Sequence, residues 1–144
     1  MTIKNGLIGG FVGSAVLAVV FVMKSMMGVM PQMDIIAMLS GMMKTSAAMG
    51  WVAHFVIGTV AWGGIFAVAN GSIPGSTQTL KGIVVGIAAW LMMMIVVMPM
   101  AGGGFFGMNF GMMGFAMPLM LHIVFGAVMG FVAAYLDEGS AEAA

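Results

Sequence analysis

Apolar residues fill this chain in four long blocks, parted by short stretches where polar and helix-breaking residues gather. The blocks cover roughly residues 6–29, 51–69, 82–98 and 117–136, each near the ~20 residues that a helix needs to cross ~30 Å of hydrocarbon. Inside lipid every backbone N–H and C=O must find a partner within the chain, so spans of this kind are expected as helices. Between the second and third blocks, residues 70–79 read NGSIPGSTQT, a polar turn rich in Gly, Pro, Ser and Asn. Residues 32–48 hold Ile35, Leu39 and Met42, flanked by Ile36 and Met43, at helical spacing. They predict a short helix lying in the membrane interface. Residues 137–144 are acidic and small, and are expected to be a disordered tail.

The pattern predicts an all-α integral membrane protein, residues 1–144 forming one transmembrane domain as a four-helix bundle. Lys4 followed by the apolar run from Leu7 to Met23 has the order of a secretory signal, but the run is long and no small-x-small site closes it. It reads as a retained first helix. Four spans put both termini on one side. Lys4 and Lys81 on that side balance Lys24 and Lys44 on the other, and the orientation chosen is the one with cytoplasmic termini.

Composition hardens this picture. The chain has 144 residues, 62% of them hydrophobic and 6% charged, with a mean hydropathy of +1.19. That leaves too little polar surface for a water-soluble core, so the lipid bilayer is its solvent. Four basic and four acidic residues cancel, which provides no field to attract nucleic acid. Cysteine is absent, which excludes disulfides, thiolate zinc sites and thiol chemistry.

An internal repeat organises the blocks. A shift of 68 residues lays Val29, Met30 and Pro31 on Val97, Met98 and Pro99, then Ala48 and Met49 on Ala116 and Met117, then His54 on His122. Both even-numbered spans therefore carry H-x-V-x-G-x-V, with Gly58 matching Gly126. Two spans per repeat preserve orientation, so the repeats are expected to be parallel, related by an axis along the membrane normal.

Methionine is concentrated at one end. Nine of the 21 methionines fall between Met23 and Met49 and ten between Met92 and Met120, which places nearly all of them, and both histidines, in one half of the bilayer. The other half carries the pairs Gly6 and Gly10, Gly9 and Gly13, Gly82 and Gly86, and Gly126 and Gly130, whose spacing allows helices to approach closely. Such a bundle, clamped by glycine at one end, is expected to open a ligand cavity among flexible thioethers at the other.

His54 and His122 are the two histidines of the chain, each about one turn into a span, where an ionisable group normally turns inward toward a partner. Gly58 and Gly126 follow four residues later on the same face and remove bulk beside each imidazole. Paired histidines on the second and fourth helices resemble, in architecture, the membrane b-type cytochromes that clamp a haem between two axial histidines. That resemblance implies a haem b or related tetrapyrrole between His54 and His122, in electron transfer or haem handling, with Lys24 placed to meet a propionate. A second reading uses soft ligands: imidazole with thioethers selects Cu(I). His54, His122 and the repeat-related Met30, Met49, Met98 and Met117 supply such a set, in a protein serving a cuproenzyme. The third reading binds no metal. Methionine is then an adaptable filler, 21 against eight leucines, and the chain is an accessory subunit that packs against larger membrane proteins or against itself.

Enzyme machinery is not expected. The chain has no cysteine nucleophile, no pair of carboxylates inside a span, no H-E-x-x-H and no P-loop. Asp34 is the one acid before the tail, and with Lys44 it reads as solvated. Trp51 reads as an interfacial anchor, while Trp62 and Trp90 lie too deep for that and read as packing residues. The first helix opened by G-x-x-x-G, the segment VMPQMDIIAMLSGMM, the opening GWVAHFVIG of the second span and the later VVMPM together resemble a group of uncharacterised bacterial inner-membrane proteins. That resemblance implies four helices in a bacterial cell membrane and brings no activity with it.

Overall fold

A computed structural model of the chain describes residues 1–142, and its elements are all helices. Four of them are long and apolar enough to cross a membrane. Helix α1 spans Ile3–Met26, a short α2 spans Ile35–Met42, α3 spans Ala47–Val68 and α4 spans Gln78–Met100. A 3-10 turn, Phe105–Phe110, leads into α5, Gly111–Glu142.

Hydropathy places the starts of the first three spans three or four residues late, because a helix begins at its cap and not where the apolar block begins. The Thr2 hydroxyl accepts from the Asn5 N–H at the head of α1, the Ser46 hydroxyl from Met49 N–H at α3, and the Thr77 hydroxyl from Leu80 N–H at α4. Each satisfies one of the donors that a first turn leaves open. The expected helix within residues 32–48 is present as α2. Asp34, expected to be solvated only, is its cap: one carboxylate oxygen accepts from the N–H of Ile36 at 2.9 Å and of Ala37 at 3.0 Å.

The fourth span is longer than expected at both ends. Helix α5 starts at Gly111, well before residue 117, and carries Pro118 inside it. Its C-terminal part overturns the expectation of a disordered tail over 137–144. The helix continues to Glu142, and Asn5 of α1 donates a 2.5 Å hydrogen bond from Nδ2 to the Asp137 carboxylate. Residues 143–144 of that expected tail lie outside the described residues.

Helix α1 organises the bundle because it has two glycine faces. Through Gly6 and Gly10 it lies against Gly63 and Gly58 of α3, and through Gly9 and Gly13 against Met129 and Phe125 of α5. A Cβ at any of these positions on α1 would meet a neighbouring carbonyl oxygen. Helix α5 in turn meets α4 through Gly126 and Gly130 against Gly82, Gln78 and Thr79. The helices are therefore ordered α3, α1, α5, α4 across the bundle, and α3 touches α4 only sparsely. Leu17, Phe66, Val85, Phe125, Met129 and Ala133 form a core toward the glycine end, and Met33, Trp90, Met94 and Met98 form a second core toward the methionine end.

Candidate functional site: a methionine-lined cavity beside His122

A cavity of about 50 Å³ lies between the two cores, sharing Met33 and Met98 with the second and Leu17 with the first. Its wall takes Leu17, Phe21 and Lys24 from α1, Met33, Ile35 and Met38 from the segment around α2, Met93 and Met98 from α4, and Met117, Pro118, Leu121 and His122 from α5. Five thioethers and one imidazole thus converge on a space that holds a single ion or one or two water molecules at ~30 Å³ each. It is far below the ~300 Å³ at which small-molecule pockets begin.

The backbone accounts for this convergence. Helix α4 departs from α geometry into a π-helical stretch at Met93–Val97, a feature that often marks functional positions because it re-aims side chains. Met93 lines the cavity, while Met94 and Met98 are fully enclosed. Across the cavity, Met117 and Pro118 begin the turn of α5 that ends at His122.

The two histidines, equivalent in sequence, are bonded differently. His122 donates from Nδ1 to the Pro118 carbonyl, one turn back on its own helix, at 2.8 Å. A carbonyl can only accept, so the proton sits on Nδ1 and the lone pair on Nε2. The hydrogen bond seen for His122 among the described residues uses Nδ1 and leaves Nε2 out of it. A metal-binding imidazole is commonly oriented in this way, its second nitrogen tied to a carbonyl. His54 instead donates from Nε2 across to the Ser14 carbonyl of α1 at 3.0 Å, and its ring sits edge-on to Phe21, Trp51 and Phe55 at centroid distances of 5.3–6.0 Å. The carbonyl corresponding to Ser14 in the other half belongs to Gly82, and it is pressed against Gly126. His122 therefore turns to its own helix, and His54 becomes a tie between α1 and α3.

The structure brings together only part of the expected site. His122, Met98, Met117 and Lys24 line the cavity; His54, Met30 and Met49 do not. Met30 packs against the outside of the methionine core, and Met49 is half exposed. Gly58 and Gly126 do not leave room beside an imidazole, because the space they open is filled by Ser14 of α1 and by the Gly82 backbone of α4. Helix α1 packs against both histidine-bearing helices, and His54 spends its Nε2 on the Ser14 carbonyl of α1. The Lys24 ammonium is spent on two carbonyls, those of Val29 at 3.0 Å and Met30 at 2.8 Å, where it ties the end of α1 to the segment leading into α2. Sequence reasoning missed Met33, Met38 and Met93. Met93 was within reach, since Trp90, Met93 and Met94 fall on one face of α4.

No group of three or more His, Cys, Asp or Glu side chains among the described residues is placed to hold a metal, so a site here would depend on thioether sulfur. The model of one protein family, described as a family of unknown function (DUF6789), matches residues 1–143. No curated protein matches the chain, and neither does any solved structure.

Proposed function

We propose, for a chain that belongs to the DUF6789 family of unknown function, that it binds one Cu(I) ion within the membrane and hands it on to a cuproenzyme. The supporting observation is the cavity: His122, whose hydrogen bond leaves Nε2 out of it, and Met93, Met98, Met117, Met33 and Met38 around the same small space. Soft thioethers with an imidazole favour Cu(I) over hard divalent ions, and a space of about 50 Å³ suits a bare ion. The tetrapyrrole reading draws less support. It needs two imidazoles free across one gap, and His54 is committed to Ser14.

Several features belong to the same proposal. The two halves are parallel repeats, a reading supported by Ser14 against Gly58 and Gly82 against Gly126, the same helix crossing displaced by 68 residues. The protein sits in a bacterial cell membrane with cytoplasmic termini, which places the cavity in the outer half, where an ion arriving from outside would meet it. Self-association or a larger membrane partner would lie along α3, whose span is only 17% buried and which exposes Val52, Val56, Ile57, Val60 and Ile65.

The test is a titration of the detergent-purified protein with Ag(I), a redox-silent stand-in for Cu(I), followed by calorimetry. One ion per chain is expected. Replacing Met98 and Met117 by Leu keeps volume and shape close to native but removes two sulfurs, and lowers affinity by about tenfold or more. Met30→Leu with Met49→Leu, outside the cavity, leaves affinity unchanged. Equal losses from the two pairs would make the methionines a diffuse surface and not a site.

A further inference from the structure

A larger cavity lies at the opposite end of the bundle from the methionines, between the head of α4 and the last turns of α5. Its volume is about 570 Å³, within the ~300–1,000 Å³ of small-molecule sites. On one side it is lined by Phe131, Ala134, Tyr135 and Glu138 of α5, which recur at the spacing of a single helical face. Toward the end of α5 that stripe passes from an exposed phenyl through an exposed phenol to an exposed carboxylate. The order follows the passage from hydrocarbon to water, with amphipathic rings at the level of lipid headgroups.

The other side carries Lys81 of α4 and the hydroxyls of Ser76 and Thr77. The Lys81 stem lies against Gly75, and its ammonium is carried back to the α3–α4 turn, where it donates to the Asn70 carbonyl at 2.8 Å. That acceptor is neutral, so the charge stays uncompensated and further N–H donors stay open. The Thr77 hydroxyl accepts from the Leu80 N–H and keeps its own proton to donate. On the facing stripe Glu138 is the available carboxylate, because Asp137 beside it is engaged by Asn5. Neither Lys81 nor Glu138 joins an ion pair among the described residues. A cation and a carboxylate thus share one cavity without neutralising each other.

Such a cavity fits a ligand that carries both charges, and its place at the membrane surface supplies one. We propose that it holds the headgroup of a phospholipid with a free amine. The phosphate meets Lys81 and the hydroxyls of Ser76 and Thr77, the ammonium meets Glu138, and the glycerol end passes along Tyr135 and Phe131 toward the bilayer. An anionic headgroup without an amine would set its charge against Glu138, and a quaternary ammonium has no N–H to donate to that carboxylate. This assignment is independent of the metal site.

The test mixes the full chain, purified in mild detergent, with equal amounts of phosphatidylethanolamine, phosphatidylcholine and phosphatidylglycerol of the same acyl chains. Retained lipid is counted by native mass spectrometry. One phosphatidylethanolamine per chain is expected, favoured about threefold or more over either competitor, as an exposed ion pair at Glu138 allows. Lys81→Gln keeps a donor for the Asn70 carbonyl but loses the charge, and lowers retention of phosphatidylethanolamine by about fivefold. Glu138→Gln, at an exposed position, removes the preference over phosphatidylcholine and leaves the fold intact. Equal retention of the three lipids by the native chain, preference for phosphatidylglycerol, or selectivity that both variants keep overturns the proposal. Glycerophosphoethanolamine, the headgroup without acyl chains, is expected not to displace the bound lipid at equal concentration. Displacement would assign the cavity to a soluble zwitterion and overturn the lipid as its occupant.

Discussion

His122→Ala is expected to abolish stoichiometric Ag(I) or Cu(I) binding, while His54→Ala leaves binding intact and weakens the fold. The two residues are repeat partners in sequence, and a symmetric haem clamp would lose its function equally by either change. Their bonding separates them. His122 leaves Nε2 out of its hydrogen bond, beside five thioethers, and its loss removes the one nitrogen ligand the cavity wall supplies. Partners outside the ligand shell of a metal site are commonly worth ~10–100-fold in affinity, so loss of the ligand itself is expected to cost at least about 100-fold. His54 spends Nε2 on the Ser14 carbonyl. Its removal deletes an interhelical hydrogen bond worth ~0.6–1.7 kcal/mol in a membrane bundle, together with the ring contacts to Phe21, Trp51 and Phe55. Calorimetry with Ag(I) and thermal unfolding in detergent, run on both variants, resolve the split. Equal loss of binding in both would restore the paired-histidine reading.

Gly126→Leu carries the largest expected effect on stability. The Gly82 carbonyl occupies the place where its Cβ would be, with the Ile83 Cα close behind, and Gly126 in turn crowds Gly82 in the same way. Neither neighbour is a side chain that can swing aside. The cost is expected to reach or exceed the ~3 kcal/mol upper range of overpacking, because relief requires α4 and α5 to separate along their whole interface. Separation would also pull Met93 and Met98 away from Met117 and His122 and dissolve the cavity. Gly64→Leu is the control, since a Cβ there meets nothing. Fluorescence-detected size exclusion should show a folded monodisperse species for Gly64→Leu and loss or broadening of the peak for Gly126→Leu. Equal behaviour of the two would contradict the glycine crossing.

Much of the architecture is legible from residue type alone. The four spans follow from hydropathy, and the crowding of 19 of the 21 methionines into two windows marks the end of the bundle where the methionine-lined cavity lies. Glycine spacing marks which helices approach closely. What spacing leaves open is which neighbour each glycine meets. Gly6 and Gly10 face α3 whereas Gly9 and Gly13 face α5, and only this division sets α1 against both histidine-bearing helices.

Repeat symmetry alone does not say which of the candidate residues share one cavity. Repeat logic treats Met30 and Met98, Met49 and Met117, and His54 and His122 as equals. The structure distinguishes them through residues where the halves differ: Gly50 against Pro118 one turn before each histidine, and Ser14 against Gly82 on the neighbouring helix. Those differences decide which carbonyl each imidazole takes, and hence which nitrogen that bond leaves out. The tail was misread because an acidic, small composition says nothing of Asn5, whose amide reaches Asp137 and holds the last turns of α5.

X-ray absorption at the copper edge of the Cu(I)-loaded protein tests the central claim most directly. One copper per chain, ligated mainly by sulfur with a single imidazole nitrogen that disappears in His122→Ala, is the predicted result. A nitrogen and oxygen shell without sulfur, two imidazoles on one ion, or copper that dialysis removes from the native chain would contradict it.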